Sequence, residues 1–258
     1  RWAAAWCDGW SNATNVGMGQ DGNTYLYNNP LEVHHGVTRQ GWYVVPCCPS
    51  NLSRTLADLG KYIYSHVEND IWIHQYISSE TTINDVKIKV ESGLPWDGRV
   101  LIRVKQEMQK EVALHLRMPS WNLASSKETT ASGYDPRHSN YEKISRGWGT
   151  DGETLEYHFD MSIQLRRAHP KVQGHAGKVA VTRGPLVYCL ESVDNPDLDI
   201  FSAQLDSGSL SDEFIPNLLG GCVVIHGMTT DGKPLKFIPY FLWANRGEAQ
   251  MTVWVNSK

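Results

Sequence analysis

Between Asp85 and Leu116 the chain keeps a strict period of two. Val86, Ile88 and Val90 alternate with Asp85, Lys87 and Lys89; Val100, Ile102 and Val104 repeat the pattern, as do Val112, Leu114 and Leu116. Successive side chains of a strand point to opposite faces, so this alternation buries one face and wets the other. Ile71, Ile73 and Ile77 open the series, and Leu155, Tyr157 and Phe159 extend it beyond a long polar connection through residues 121–150. Turns such as Trp96-Asp97-Gly98 separate the runs, which predicts antiparallel strands stacked as a β-sandwich. A second set follows at Val179-Ala180-Val181, Leu186 to Leu190, Cys222 to His226, Leu235 to Ile238 and Met251 to Val255. Residues 192–213 read as an irregular excursion.

Upstream, one apolar stripe has a different period. Leu52, Leu56, Leu59 and Ile63 fit a helix over residues 51–64, with Ser50 and Asn51 as N-cap candidates. Immediately before it stands Pro46-Cys47-Cys48-Pro49. The prolines restrict the backbone on both sides, and a thiol just ahead of a helix N-terminus feels the positive end of the macrodipole, which favours thiolate. Thiolate is both nucleophile and metal ligand, although adjacent cysteines are more often ordinary buried residues. The residues before this block carry helix–turn–hairpin signals: a helical end over 2–10, the turn cluster Gly17 to Asn23 and a short extended Tyr25-Leu26-Tyr27. A small helical piece feeding two β modules is the simplest organisation.

A net charge of −4 gives no basic footprint, which argues against nucleic acid as a partner, and no apolar run approaches the length of a membrane span. The chain opens at Arg1 without a secretory signal and reads as a processed product or a fragment. Five cysteines (Cys7, Cys47, Cys48, Cys189, Cys222) are few and odd in number, so a metal or a reactive thiol gains weight over a disulfide framework. Ten tryptophans and eleven tyrosines against five phenylalanines suit sugar faces, though sandwich packing is the expected role for most of them, Trp96 and Trp121 included. Cytoplasmic, periplasmic and secreted locations all stay open.

Several blocks together resemble one family. Asp21-Gly22-Asn23, Tyr27-Asn28-Asn29-Pro30-Leu31-Glu32, Arg39-Gln40-Gly41-Trp42-Tyr43 and Cys47-Cys48-Pro49-Ser50-Asn51 come first. Pro95-Trp96-Asp97-Gly98, Leu116-Arg117-Met118-Pro119-Ser120-Trp121, Arg183-Gly184-Pro185-Leu186-Val187-Tyr188 and Trp243-Ala244-Asn245-Arg246-Gly247 continue the series. In this order they resemble glycoside hydrolase family 127, the β-L-arabinofuranosidase group, over nearly the whole chain. The resemblance implies a mainly β chain: two β-sandwich modules preceded by a short helical remnant of a catalytic α/α toroid. The boundaries expected are 1–64 for the remnant, 65–168 with 248–258 for the first sandwich and 169–247 for the second.

The resemblance further implies hydrolysis of terminal arabinofuranosides with retention, by a zinc-bound cysteine nucleophile and a glutamate acid and base. The nucleophile falls on Cys47, a second zinc ligand on Cys48, and a sugar-site tyrosine on Tyr27. Zn2+ is therefore the expected cofactor, held by Cys47 and Cys48. The family completes its zinc set with Glu-x-Cys upstream, where its acid/base glutamate also lies. Ahead of Cys47 this chain has one glutamate, Glu32, and no Glu-x-Cys. The expected partners are a carbohydrate substrate and either a second copy of the chain or an upstream catalytic segment. The alternative function is a non-catalytic β-sandwich module that binds or supports glycan. His34 and His35 are expected as loop residues rather than metal ligands, Cys189 and Cys222 as core, and Glu32, Arg183 and Arg246 as structural groups.

Overall fold

The computed structural model describes residues 17–108, 110–119, 121–122 and 140–257. The expected helical end over 2–10 and Cys7 lie outside them. The strands and helix are, in order, β1 (Glu32–Val37), α1 (Cys47–Ala57), β2 (Tyr64–Val67), β3 (Asp70–Ile73), β4 (Ser79–Ile83), β5 (Val86–Ser92), β6 (Arg99–Gln106), β7 (Glu111–Met118), β8 (Asn140–Gly147) and β9 (Glu153–His158). Then come β10 (Ile163–Arg167), β11 (Lys178–Arg183), β12 (Leu186–Glu191), β13 (Gln204–Ile215), β14 (Cys222–Thr229), β15 (Pro234–Pro239), β16 (Ala249–Thr252) and β17 (Trp254–Ser257). Among the described residues no helix is long and apolar enough to cross a membrane.

One unit is a sandwich of two four-stranded sheets, β2-β3-β7-β8 and β4-β5-β6-β9. All pairings are antiparallel except β3 with β7, which runs parallel from Asp70↔Ala113 to Ile73↔Leu116. The period-two residues meet between the sheets: Ile71 and Ile73, Val86 to Val90, Val100 to Val104 and Val112 to Leu116 form one core with Tyr76, Trp148 and Phe159. Trp121 packs there too, its ring 5.6 Å from that of Phe159. The polar connection expected through residues 121–150 instead contains β8, which pairs with β7 over eight residues. An edge strand is held by backbone pairing along one side and shows little apolar alternation.

On the other face of the first sheet Ser65, His74 and Tyr141 form a chain. His74 Nε2 lies 2.7 Å from Ser65 Oγ, and His74 Nδ1 lies 2.6 Å from Tyr141 Oη. Burial holds the His74 imidazole below its usual pKa of 6.5. The unfolded chain therefore binds a proton in a range where the folded chain does not. The stability this histidine contributes is present above about pH 6.5 and lost as pH falls through its depressed folded value. Calorimetry from pH 7.5 downwards is expected to show a smaller acid-side loss of melting temperature in His74→Gln than in the parent; equal slopes would sink the assignment.

The second unit is built on one nine-stranded sheet, ordered β1-β16-β12-β15-β14-β13-β17-β11-β10. An additional pairing of β11 with β12 closes six of these strands into a circuit. That hairpin turns through Gly184-Pro185 between paired Arg183 and Leu186, with Gly184 at φ 51°, a conformation L side chains resist. Three expectations are corrected here. The terminal segment 248–258 does not return to the first sandwich: β17 fills the gap between β11 (antiparallel) and β13 (parallel), and Met251, Val253 and Val255 are buried. Residues 163–167 belong with this sheet through five pairs to β11, so the division falls near residue 162 rather than 168. Nor do the described residues of the expected 1–64 remnant, 17–64, stand as a separate piece, because β1 pairs with β16 at Glu32↔Thr252, Val33↔Met251 and Val37↔Ala249.

The irregular excursion of 192–213 also gains a correction, since β13 runs from Gln204 to Ile215 and pairs with β14. Its side chains hide it: along β13 only Leu205 is buried. Cys189 and Cys222 are core residues as expected, and burial pushes both thiols up, Cys222 to about 11. A cluster of charges is buried in this unit. Arg246 binds both Glu191 and Asp194, Lys236 reaches Asp194 at 3.0 Å, and the Ala244 N–H donates to Glu191 Oε1 at 2.7 Å. Arg183 pairs with Asp212 at 2.7 Å.

Candidate active site

The helix carrying the cysteine pair begins earlier than its apolar stripe suggests. The Ser50 N–H donates to the Pro46 carbonyl at 3.0 Å, so Pro46 caps α1 and Cys47 is its first helical residue. Ser50 and Asn51 are thus inside the helix, which corrects the start expected at 51. Pro49 is tolerated at the third position because the N–H it lacks would have no partner within the helix. The helix ends at Ala57; Leu59–Tyr62 follow as a 3-10 turn, in place of the continuous helix to 64. Of the stripe, Leu52, Leu59 and Ile63 are buried.

Both thiols are free and exposed. Their sulfurs lie 3.7 Å apart, too far for a disulfide. Tyr27 comes from the opposite side of the sequence block and sets its Oη 3.1 Å from Cys47 Sγ. Its position depends on Tyr43, a residue that carried no expectation of its own. The Tyr43 hydroxyl accepts from Tyr27 N–H at 3.2 Å and donates to the Tyr25 carbonyl at 3.1 Å, and the Tyr27 and Tyr43 rings meet edge to face at 5.3 Å. The sequence signal for this was the Arg39 to Tyr43 block itself; its distance in the chain from Tyr27 concealed the pairing.

The electrostatics follow from these contacts. Hydrogen bonding to Cys47, and then to Cys48, pushes the Tyr27 phenol up to about 12, so it stays a donor. The same bond from Tyr27, followed by that with Cys48, lowers the Cys47 thiol below its ordinary value of 9.0. A first-turn position in α1 acts in the same direction through the helix macrodipole. Cys47 is therefore an exposed thiol biased towards thiolate.

The sulfur pair also fits part of a metal site. Two thiolates at about 2.3 Å from a tetrahedral zinc lie about 3.8 Å apart, close to the spacing of Cys47 and Cys48. They account for two of four positions. Among the described residues no group of three or more His, Cys, Asp or Glu side chains converges on a metal position. His34 is engaged elsewhere, 2.5 Å from Glu32 Oε1 and stacked on Phe201 with centroids 4.1 Å apart. It lies on β1 rather than in a loop, and Glu32 also faces Lys178 at 3.6 Å.

Comparison with known proteins places the chain in a family. Residues 70–161 match the domain described as the beta-L-arabinofuranosidase GH127 middle domain, and residues 163–256 match the glycoside hydrolase family 127 C-terminal domain. The chain is similar to the non-reducing end beta-L-arabinofuranosidase of Bifidobacterium longum subsp. longum, 31% identical across 94% of this chain and 43% of that protein. It is also similar to the crystal structure of a GH127 beta-L-arabinofuranosidase from Geobacillus stearothermophilus T6, with 35% identity and a TM-score of 0.81 over 95% of this chain and 44% of that one. A second solved GH127 beta-arabinofuranosidase gives 28% identity and a TM-score of 0.77 with the same coverage. The chain thus spans less than half the length of these relatives. Both β units and the sequence that joins them are those of one enzyme family: this chain belongs to glycoside hydrolase family 127, of which it carries the middle and C-terminal domains.

Proposed function

We propose that this chain is the part of a retaining glycoside hydrolase, acting on terminal arabinofuranosides, that carries the nucleophile Cys47. The observation that carries the reading is the 3.1 Å contact of Tyr27 Oη with an exposed thiol in the first turn of α1. A sulfur that attacks an anomeric carbon has to be both ionised and reachable, and Cys47 meets the two conditions together. In the first displacement the Cys47 thiolate forms a C–S bond as the glycosidic C–O bond breaks, and the leaving oxygen takes a proton from a general acid. Water then attacks the anomeric carbon from the vacated face and gives up a proton as the C–S bond breaks, its electron pair returning to sulfur. Two inversions retain configuration. Tyr27 donates to the sulfur whenever it is anionic, and Tyr43 holds Tyr27 in place.

Zinc, when held by Cys47 and Cys48, would lower the thiol pKa and temper the basicity of the sulfur so that it can leave again. Glu32 is not placed to serve as the acid, being bound to His34 and facing Lys178. The proton donor and the remaining metal ligands are expected from the part of the family fold that this chain does not span. Trp42, Val44 and Val45, which lead into the cysteines, are exposed apolar side chains, consistent with a face that such a part covers. The test is hydrolysis of an aryl β-L-arabinofuranoside by the protein expressed from its complete reading frame, with the anomer released first identified by NMR. Retained configuration together with zinc bound one to one is the expected result. An inverted first product, or no hydrolysis by a zinc-loaded protein, would overturn the reading.

A further inference from the structure

The unit built on the nine-stranded sheet contains a cavity of about 360 Å³, within the size range of small-molecule sites. Six polar side chains line it: Gln20, Asp21, Thr24, Thr38, Arg39 and Asn245. Three separate stretches supply them, and these are tied to each other before any ligand arrives. The Gln20 N–H donates to Asn245 Oδ1 at 3.0 Å, and Arg39 donates from Nε and Nη2 to the Trp243 carbonyl at 3.2 and 2.8 Å. Asp21 Oδ1 accepts from the N–H groups of Asn23 and Thr24 and from Thr24 Oγ1, at 2.9, 3.0 and 2.9 Å. The walls are preformed, so binding would cost little ordering.

The charge pattern selects the ligand class. The hydrogen bond from Asn23 N–H, with those of Thr24, holds the Asp21 carboxyl below its usual range, so it is anionic at neutral pH. Burial lowers Arg39, but only to about 10, so it stays cationic. One negative and one positive group leave no surplus charge to attract an anion, and a single carboxylate already accepting three donors is a poor cation site. The other four side chains are neutral amides and hydroxyls, which both donate and accept. That combination matches a ring of vicinal hydroxyls.

We propose that this cavity is a binding site for a neutral monosaccharide ring, recognised by hydrogen bonds that Asp21 accepts and that Arg39, Asn245 and the two threonines form with the ring hydroxyls. It is a binding site separate from the nucleophile reading of Cys47 and stands without it. Among the described residues lining the cavity none is aromatic, so no ring stacking adds affinity and binding is expected to be weak, in the millimolar range. The blocks that build it, Asp21-Gly22-Asn23 and Trp243 to Gly247, then have a role besides local structure.

The experiment is an NMR titration of the isotope-labelled chain with L-arabinose, D-xylose and D-glucose, alongside D-glucuronate, glucose 6-phosphate and calcium chloride. Saturable shifts confined to residues 20–24, 38–39 and 244–247 are expected with at least one neutral sugar, and weaker or no response with the charged probes. Thr38→Trp places a large side chain at an exposed position on the rim and is expected to abolish the response. Asp21→Asn keeps an oxygen acceptor for the turn but removes the charge, and is expected to weaken binding about tenfold, the scale of one charged hydrogen bond. Cys47→Ala should titrate as the parent does, which separates this site from the hydrolytic one. No saturable response to any neutral sugar, stronger binding of a charged probe, or unchanged affinity in both cavity variants would overturn the proposal.

Discussion

Cys47→Ala is expected to reduce hydrolysis of an aryl arabinofuranoside by at least ~10³-fold while the protein stays folded. The thiol is exposed and its loss opens no core cavity. Alanine is also the best helix former, so the first turn of α1 is not weakened. What disappears is the atom proposed to accept the glycosyl group, and the Tyr27 phenol, whose ordinary value of 10.0 keeps it neutral at neutral pH even without its bond to Cys47, does not replace it. Cys47→Ser sharpens the test, since a hydroxyl can still meet Tyr27 but is not ionised at neutral pH; it should be as inactive as alanine. Cys48→Ala should lower the zinc content measured by atomic absorption. Retention of more than a tenth of the activity in Cys47→Ala would remove the nucleophile assignment, whatever happened to the metal.

Arg246→Ala is expected to destabilise the unit containing the nine-stranded sheet by about 3–5 kcal/mol, the range for removing one partner of a buried ionic cluster. Arg246 is the group shared by Glu191, fully buried at 0% exposure, and Asp194, at 6% side-chain exposure. Without it Glu191 keeps the Ala244 N–H and Asp194 keeps Lys236, which leaves two buried carboxylates served by one cation. In the parent the two acids pull in opposite directions. Burial raises the Glu191 carboxyl, only partly offset by the Ala244 N–H and Arg246. Burial would raise Asp194 as well, but the bonds from Arg246 and Lys236 outweigh it and the net shift is downward.

The signs then give a pH dependence. The raised Glu191 contributes stability below its unfolded value of 4.5 and loses it as pH rises through its folded value. Asp194 contributes above its unfolded value of 3.8 and loses that as pH falls through its depressed folded value. Arg246→Ala removes an offset from the first and support from the second, so the variant should recover part of its lost stability on mild acidification. Urea denaturation at neutral and mildly acidic pH measures both effects. A loss under about 1 kcal/mol, the level of an exposed ion pair, would mean that the cluster is not buried in solution as it is here.

The first sandwich was legible because its core is built by alternation. Every one of Val86, Ile88, Val90, Val100, Ile102 and Val104 is buried, and the strands that carry them lie where the period placed them. β8 and β13 were not legible, because hydrogen bonding of the backbone to β7 and β14 holds them in the sheet while their side chains stay mostly in water. The destination of the last strand was likewise invisible: Trp254 to Asn256 alternate acceptably for either β unit, and the vacant backbone edges of β11 and β13 decide between them.

At the candidate site the sequence alone determined which atoms are the candidates for the chemistry. Two adjacent cysteines between prolines, at the start of a helix, are a local arrangement that twenty residues of chain suffice to specify. The blocks around them were enough to identify the family. What only the tertiary structure decided is how that reactivity is directed. Tyr27, held by Tyr43, meets Cys47 across a fold of the chain, and Gln20, Arg39 and Asn245 converge on one cavity from positions up to 225 residues apart. Chemical identity and local backbone preference are properties of a residue and its neighbours in sequence. Proximity between distant groups depends on which strand edges pair and which side chains share a core, and those are settled by the whole chain at once.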